Sequence, residues 1–567
     1  MHVIIKSHLN QFSKNFALDN LAESHQFERF SNYCIASDRS SEKVLLDEIT
    51  TGADDAGIDG VIFLIDGEII TSPEAAQDIL SRPKKNIVAE IIFIQSKSSE
   101  NFEKAQISNF GDGISDLISE STELPICETL QNAKEIIKII LQNIGKVEDG
   151  QPIASAYYVT TGEYNESAKE IKAALTLLKK KIDSTGFFSS ANVYPIGRKE
   201  LIKLYSKISS GVEATLEVKG FLPYPTIPGV EEAYLALVPA KSYVEKLLND
   251  NGKIRASVFE ENVRAYLGSD NPVNSEISKT ISDTIRRQRF GVLNNGITIV
   301  SPDIRVQNNN IFLRDYQIVN GCQTSNVLFE NRDSLSDDVF LTVKMVEAND
   351  SDVVDDVVKS TNSQTRVESI QFLSSIPIIK QVERYFSARN ENNEETAIYL
   401  ERREKQYSGR GIPEIRIVDI KNMCRSTAAI FLDKPELASR YPIQMFDEVG
   451  DELLSEKNRE IIYYTSALAH YRIQLLLASQ RIPSNLGKCR WHILMLLKYL
   501  SNKNKPTPKL NSKKIDKYCE NIIAACRDPE FTKFKEAAHI LQNSGDLARD
   551  TIRLHSFKTQ LITMISP

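Results

Sequence analysis

Two short stretches decide the fold: GIDGVIF at residues 57–63 and IIFIQSK at residues 91–97. Each joins polar side chains to an apolar run of the length of a β-strand. Asp59 stands at the entrance to the first run, whereas Gln95 and Lys97 stand at the end of the second. Because side chains two residues apart share one face of a strand, Gln95 and Lys97 point the same way and Ser96 points to the opposite face. If the two strands pair, Asp59, Gln95 and Lys97 meet at one edge of a sheet.

These side chains suit the cleavage of a phosphodiester bond. Asp carboxylates are ligands that Mg²⁺ prefers, and such a cation polarises a phosphate and lowers the pKa of its bound water. Lys97 adds positive charge at the phosphate. Gln95 can coordinate only through a neutral amide oxygen, so a further carboxylate is needed, and Asp54 and Asp55 are close in sequence. The alternative is that Asp59 caps a helix and that the Gln and Lys side chains form a solvent-exposed strand end.

The layout resembles the PD-(D/E)XK nuclease superfamily, in the Asp…Gln-x-Lys variant of the Mrr-like restriction endonucleases. The resemblance implies a mixed sheet flanked by helices, with Lys97 at the phosphate. It also implies that Asp59, Gln95 and Glu28 hold Mg²⁺ or Mn²⁺. Glu28, in the segment FERF, matches the upstream Glu of Mrr-like sequences.

The N-terminal 210 residues predict alternating strands and helices. The run at 88–96 is almost continuously apolar, which is typical of a buried central strand. Asp66-Gly67 predicts a hairpin turn. The apolar periodicity predicts strands at 61–65, 68–71, 88–96, 155–160 and 192–195, and helices at 11–38, 103–117, 167–183 and 199–205.

Composition describes an ordinary globular protein with no overall affinity for polyanions. A chain of 567 residues predicts two to four domains. Its net charge of −7 means that any contact with nucleic acid must come from local patches. Residues 481–567 are such a region, with 16 Lys and Arg against 7 Asp and Glu. This surplus predicts either phosphate contacts or a solvated helical face.

The seven cysteines are scattered, without a metal-ligand spacing or a paired His, so we expect neither a zinc site nor a disulfide framework. The N-terminus lacks the apolar block of a signal peptide, and no run of 18 apolar residues predicts a membrane span. We therefore expect a cytoplasmic protein.

A second group of polar motifs lies in the middle of the chain. Residues 294–296 (NNG) precede a strand, and residues 316–328 read as strand, tight turn and helix start. A helix start offers free N–H groups and a positive dipole end to an anion. The alternative is ordinary turn and capping chemistry. The candidate ligand- or nucleic-acid-binding residues are Asn295, Asn320, Gly321, Gln323, Thr324, Asn362, Gln364 and Arg366.

Four motifs in this region closely resemble the AIPR family, named for abortive-infection phage resistance. They are FEENVRAYLG at 259–268, NNGIT at 294–298, IVNGCQT at 318–324 and NSQT at 362–365, within a resemblance that spans about 215–420. The resemblance implies a role in bacterial antiphage defence. Mrr-like nuclease domains are often fused ahead of AIPR regions, which implies the same assignment for the N-terminal region.

The predicted fold class is multidomain α/β and α+β. It comprises a restriction-endonuclease-like mixed sheet (1–210), a central α/β AIPR region (211–420) and a mostly helical C-terminal region (421–567). We expect a metal-dependent endonuclease that acts on nucleic acid, with DNA as the expected substrate. We also expect it to form a homodimer and to respond to a phage-derived or partner-protein trigger. The rival is a non-catalytic nucleic-acid- or ligand-binding sensor with a degenerate nuclease fold.

Overall fold

The computed structural model describes residues 1–40, 43–52, 55–82, 86–210, 212–250, 252–255, 258–259, 272–362, 373, 376–390, 397–402, 406–407, 410–439 and 442–565. The strands of these ranges are β1 Gly60–Ile65, β2 Glu68–Ile70, β3 Ala89–Lys97, β4 Ile153–Thr160, β5 Ser190–Ile196, β6 Glu213–Glu217, β7 Gly220–Pro223, β8 Glu232–Pro239, β9 Asn249–Asp250, β10 Lys253–Ile254, β11 Ile297–Ser301, β12 Asp303–Gln307, β13 Asn310–Arg314, β14 Gln317–Asn320, β15 Phe340–Glu347, β16 Tyr399–Glu401 and β17 Ile417–Asp419.

The helices are α1 Val3–Asn15, α2 Glu23–Arg39, α3 Leu46–Ile49, α4 Pro73–Ser81, α5 Lys104–Ile118, α6 Glu128–Gln142, α7 Lys169–Asp183, α8 Arg198–Ser210, α9 Ala240–Tyr243, α10 Pro272–Ser282, α11 Phe290–Leu293, α12 Cys322–Glu330, α13 Ser351–Asn362, α14 Pro377–Asn390, α15 Ile420–Phe431, α16 Pro435–Ala438, α17 Pro442–Leu453, α18 Ile461–Ala478, α19 Arg490–Ser501, α20 Lys514–Arg527, α21 Thr532–Gln542, α22 Arg549–Ile552 and α23 His555–Ile565. No helix in these ranges is both long and apolar enough to cross a bilayer.

The chain divides into two compact units. The first combines residues 1–208, 381–400 and 413–567, and the second combines residues 209–380 and 401–412. The N-terminal and C-terminal regions of the sequence therefore fold together in the first unit. The predicted fold class is confirmed, since mixed sheets form in the N-terminal and central regions and helices form the C-terminal one.

The first unit contains a five-stranded mixed sheet of order β2-β1-β3-β4-β5. β1 is antiparallel to both β2 and β3, whereas β3, β4 and β5 run parallel. Asp66 and Gly67 take φ values of 52° and 86°. The predicted Asp-Gly hairpin turn, which requires positive φ at both positions, is therefore confirmed. In β3 every residue except the last is buried, as expected of a central strand.

Helices cover both faces of this sheet. One core, which includes Ile91 and Phe93, packs the sheet against α4, α5, α6 and α7. Side chains alternate along a strand, so Ile92 and Ile94 face the other side, and they are also buried. α2 packs against β3. The central strands of the sheet are therefore enclosed, whereas the edge strands β2 and β5 are partly exposed.

The predicted elements of this region match the structure to within a few residues, with one exception. The helix predicted over 11–38 is two helices, α1 and α2, because the chain turns after residue 15. Ala17 takes a φ of 53°. This left-handed conformation is not one that a continuing helix allows. α4 and α6 were not predicted.

The C-terminal helices surround α18, which packs against α15 and α20 and is buried on nearly every side. Part of the basic surplus of this region pairs with acidic residues of the N-terminal region. Arg490 Nη2 lies 2.5 Å from Asp47 Oδ2, and Arg549 Nη1 lies 2.8 Å from Glu74 Oε2. These cations stabilise the first unit internally and are not available to phosphates.

The end of α18 also accepts hydrogen bonds from the N-terminal region. The buried Arg29 donates from Nε to the carbonyl of Ala478 at 2.9 Å. Asn20 donates from Nδ2 to the carbonyl of Ser479 at 2.6 Å. Carbonyls at a helix C-terminus have no partner within the helix, so these side chains satisfy groups that would otherwise need water. α2 is thereby attached to the C-terminal helices.

The second unit contains a five-stranded sheet of order β14-β11-β15-β8-β7 and a three-stranded sheet of order β12-β13-β6. β11 is antiparallel to β14 and parallel to β15. α12 follows β14 directly, and valines of α13 pack on valines of β11, β14 and β15. The strand, turn and helix predicted over 316–328 are confirmed.

Candidate functional site

A tight turn leads the chain into β1. Ile58 donates its N–H to the carbonyl of Asp55 at 2.8 Å, and Asp55 Oδ1 accepts the N–H of Gly57 at 2.7 Å. Ala56 and Gly57 both take left-handed φ values, 51° and 77°. Gly113 of α5 lies against this turn, where an added Cβ would stand only 2.0 Å from the carbonyl oxygen of Ala56. Helix α5 therefore holds the turn in place.

Asp59 is fixed at the end of this turn through its backbone and its carboxylate. Its carbonyl accepts hydrogen bonds from Asn32 Nδ2 at 2.9 Å and from the Thr51 N–H at 3.2 Å. Its Oδ2 accepts the Ser96 N–H at 2.6 Å and the Ser96 hydroxyl at 3.2 Å. The residue is only 3% exposed. One carboxylate oxygen is thus held by β3, which leaves Oδ1 for another partner.

Gln95 lies across the strand pair from Asp59. Gly60 pairs with Ile94 in the antiparallel pair of β1 and β3. The next residues, Asp59 and Gln95, therefore lie opposite each other. Gln95 is 1% exposed, and no group in the described part of the chain donates a hydrogen bond to its Oε1. A buried acceptor without a donor costs about 1–3 kcal/mol. The structure thus holds an unsatisfied buried oxygen on the residue that lies opposite Asp59 in the strand pair.

Glu28 reaches the same place from α2. It lies one helical turn before Asn32, so the two share a face of α2, and Asn32 binds the backbone of Asp59. Burial, together with the charge of Asp59, raises the pKa of Glu28 to about 7, although Arg29 acts to lower it. The positive charge of Lys97 also acts to lower the pKa of Glu28. The structure therefore brings Glu28 into electrostatic range of Asp59 and Lys97.

The carboxylate of Asp59 is itself held in an unfavourable environment. Burial raises its pKa to about 6, although the charge of Lys97 and the Ser96 N–H both act to lower it. Asp55 also acts to raise it. Three carboxyl groups, one unsatisfied amide oxygen and one ammonium group therefore share this edge of the sheet. We call Glu28, Asp59, Gln95 and Lys97 the carboxylate site.

The four residues of the carboxylate site differ in their exposure to solvent. Asp59 and Gln95 are buried, whereas Glu28 and Lys97 are half-buried. A charged ligand would therefore approach from the side of Glu28 and Lys97. All the available ligand atoms are oxygens, which is the set that Mg²⁺ and Mn²⁺ use. Nevertheless, no group of three or more His, Cys, Asp or Glu side chains among the described residues is arranged as a metal centre.

The sequence alone did not indicate three neighbours of the site. Ser96 was expected to point away from it, yet its N–H and hydroxyl hold Asp59. Asn32 binds the backbone carbonyl of Asp59. Its position one helical turn after Glu28 is the feature of the sequence that could have indicated this role. Tyr158 pairs in register with Gln95, and burial raises its pKa to about 12, with a contribution from Asp59. Asp54, the other carboxylate considered nearby, lies outside the described residues.

The second group of motifs gathers at one end of the central sheet. Thr298 of β11 pairs with Asn320 of β14, so the NNG turn before β11 and the Asn-Gly turn after β14 lie at the same end. Gly321 takes a φ of 104°, and a Cβ there would stand 2.8 Å from Ile297 Cγ1. Asn295 is exposed at this end.

Two polar groups of this end accept hydrogen bonds from neighbouring side chains. Gln323 Oε1 accepts a hydrogen bond from Asn274 Nδ2 at 3.0 Å. The Ser325 hydroxyl donates to the carbonyl of Gly321 at 2.8 Å. Thr324 lies in the first turn of α12, half-buried. We call Asn295, Asn320, Gly321, Gln323 and Thr324 the Asn-Gly end.

The remaining candidates of this group cannot be placed with it. Asn362 is the last residue of α13, and Gln364 and Arg366 lie outside the described residues. Most of the FEENVRAYLG motif, from residue 260 to 268, also lies outside them. Cys322 is buried, and burial raises the pKa of its thiol to about 11. It therefore stays protonated and packs as a small apolar side chain.

Comparison with known proteins supports one of the two resemblances. The family model described as AIPR protein matches residues 259–541, just under half of the chain. This match supports the AIPR family, and it extends beyond the four central motifs into the C-terminal helices. No curated protein matches the chain. No solved structure matches it.

Proposed function

We propose that this protein, whose residues 259–541 support membership of the AIPR family, is an antiphage-defence nuclease that cuts nucleic acid at the carboxylate site. The family suggests phage defence by abortive infection. The nuclease activity, the preference for DNA and the need for Mg²⁺ or Mn²⁺ are our proposals. A single observation supports them most: the buried Gln95 Oε1 has no hydrogen-bond donor among the described residues, and its residue lies opposite Asp59, whose carboxyl group has a raised pKa.

The residues present fit a divalent cation. Asp59 Oδ1, Gln95 Oε1 and the carboxylate of Glu28 would hold it. A nearby positive charge would stabilise the two carboxylates, whose pKa values are raised, and the unsatisfied oxygen of Gln95. When bound, the cation supplies Lewis acidity toward the phosphate and a water of lowered pKa.

The protein's own groups would do the remaining work. The Ser96 N–H binds Asp59 Oδ2, which fixes the orientation of the carboxylate and therefore of its other oxygen, Oδ1. Lys97, at the open end of β3, would neutralise charge on the phosphate. In the metal-free protein Glu28 has a pKa of about 7 and is partly protonated at neutral pH, which limits the repulsion between the two carboxylates.

A plasmid-nicking assay with the full-length chain tests this proposal. With Mg²⁺ or Mn²⁺ we expect wild-type protein to nick supercoiled DNA, and we expect Asp59→Ala and Lys97→Ala to abolish nicking. Asp550→Ala and Lys138→Ala serve as matched controls, because both side chains are exposed and belong to other elements of the first unit. Equal nicking by Asp59→Ala and wild type would contradict the proposal.

A second candidate is a binding protein with a degenerate nuclease fold. It is favoured by the neutral Gln95 and by the absence of a three-residue metal group among the described residues. On this hypothesis wild-type protein binds DNA, and neither metal elicits nicking. The same assay, paired with a binding measurement, separates the two candidates.

A further inference from the structure

One surface of the first unit concentrates unpaired positive charge. Between α19 and the second turn of α20 stand six lysines, all of them exposed: Lys503, Lys505, Lys509, Lys513, Lys514 and Lys517. None forms an ion pair within the part of the chain that the structure describes. In contrast, Arg490 and Lys498 nearby are buried and paired with Asp47 and Asp433. We call residues 502–518 the lysine loop.

Hydrogen bonds close the lysine loop at its base. The Tyr518 hydroxyl donates to the carbonyl of Lys505 at 3.0 Å, and Asn502 Nδ2 donates to the carbonyl of Tyr518 at 3.3 Å. Asn521 Nδ2 donates to Asn502 Oδ1 at 2.9 Å. Closed surface loops of this length are compact and often functional. These hydrogen bonds therefore hold together the two ends of the segment that carries the six exposed lysines.

The backbone of the lysine loop is restrained along its length. Arg459 donates its N–H to the carbonyl of Leu510 at 3.1 Å. Pro506 and Pro508 fix two φ angles, which limits the conformations of the free loop. Asp516, the one acidic residue of the loop, is 2.5 Å from Arg459 Nε and does not neutralise the lysines. Their mutual repulsion persists in the free protein and would be relieved by a polyanion.

We propose that the lysine loop binds the phosphate backbone of double-stranded nucleic acid. The choice of nucleic acid as the polyanion rests on the proposed function, since the carboxylate site belongs to the same unit. Lysine ammonium groups are point charges that contact phosphates without reading sequence. Single-strand binders add exposed aromatic rings for base stacking. The one aromatic residue of the loop, Tyr518, is buried with its hydroxyl occupied, which favours the duplex.

Salt dependence of binding tests the inference. Binding of a short duplex DNA is measured in EDTA over a series of salt concentrations, with Asp59→Ala present in every protein to exclude cleavage. The test variant is Lys505→Gln/Lys509→Gln/Lys513→Gln. The control is Lys169→Gln/Lys172→Gln/Lys180→Gln, three exposed lysines of α7 in the same unit. Thermal unfolding verifies that both variants fold.

We expect the test variant to reduce the slope of log Kd against log salt by about 2–3, since each phosphate contact contributes about 0.9. Its affinity at low salt should fall roughly tenfold or more. Slopes that are equal in the Asp59→Ala protein with and without the three lysine substitutions, or an equal loss in the control, would overturn the inference. So would binding to vesicles of phosphatidylserine and phosphatidylcholine but not to the duplex. Loss of binding in the test variant, with no nicking by wild type, would support the loop and contradict the nuclease.

Discussion

The carboxylate site and the Asn-Gly end are both polar strand ends, and they differ in how their polar groups are satisfied. At the carboxylate site two carboxyl groups have raised pKa values and Gln95 Oε1 has no donor among the described residues. At the Asn-Gly end, Asn274 binds Gln323 and Ser325 binds the carbonyl of Gly321. The first arrangement destabilises the isolated protein, whereas the second stabilises it.

We propose that this difference separates a site that binds a ligand from a turn that serves packing. Burying charged or unsatisfied polar groups costs free energy, and a fold retains such groups where another molecule compensates. Gly321 serves a different need, because a Cβ there would collide with Ile297. Contacts within the fold thus account for Gly321 and Gln323 of the Asn-Gly end.

The largest expected contrast is in cleavage. Asp59→Ala should lower the rate of plasmid nicking by roughly 100- to 1,000-fold, because it removes a carboxylate that would hold the catalytic cation. Gln323→Ala should change the rate by less than about threefold, within the range of an uninvolved surface substitution. Initial rates under identical metal concentrations provide the measurement. A large loss of nicking activity in Gln323→Ala would contradict the proposed difference between the carboxylate site and the Asn-Gly end.

The next contrast is in stability without metal. The pKa of Asp59 is raised to about 6, so its ionisation opposes folding. The folded state loses stability as pH rises from about 4 to about 6, and the full penalty persists above that. Asp59→Asn should therefore unfold at higher urea concentration than wild type at about pH 8, by roughly 1–3 kcal/mol. At about pH 4 the two proteins should agree. A variant that is less stable at both pH values would contradict the raised pKa.

Divalent metal should remove this penalty. At about pH 8, Mn²⁺ at roughly 100 times its Kd should stabilise wild-type protein by about 2–3 kcal/mol. At about pH 5 the effect should shrink, because protonated Asp59 and Glu28 no longer bind the cation. Thermal unfolding measures both shifts. Gln323→Ala should keep the stabilisation and Asp59→Asn should lose it. A shift shared by both variants would place the metal elsewhere.

The smallest contrast concerns two glycines. At Gly321 an added Cβ combines a left-handed φ with a collision at Ile297. Gly321→Ala should therefore lower the free energy of unfolding by about 2 kcal/mol. Gly67 has a similar φ, 86°, and no neighbour within 4 Å of an added Cβ. Gly67→Ala should cost only about 1 kcal/mol. Urea denaturation of both variants gives the difference, and equal losses would mean that the Asn-Gly turn is not a packing feature.

Much of the first sheet could be predicted from the sequence. The continuous apolar run of β3 and the Asp-Gly hairpin turn identify the strands directly. The alternation of side chains then places Gln95 and Lys97 on one face. The proximity of Glu28 came only from a family resemblance, because a helix far upstream of Asp59 has no local signal that fixes its position.

Other features depend on contacts that a sequence pattern does not encode. The role of Ser96 is set by its N–H, which every residue except proline has. The break at Ala17 divides a periodic stretch that read as one helix. The basic surplus of residues 481–567 could not be divided by sequence into paired and exposed charges. Its partners, such as Asp47 and Glu74, lie in the N-terminal region of the chain.

The hydrogen bond from Arg29 to the carbonyl of Ala478 has a consequence for synthesis on the ribosome. Its two residues are 449 positions apart in the chain. At about 5–20 residues per second, roughly 20–90 s pass between their emergence. Until then α2, which carries Glu28, lacks this hydrogen bond to the C-terminal helices. A nascent chain therefore gains this hydrogen bond on α2 only after α18 has been synthesised.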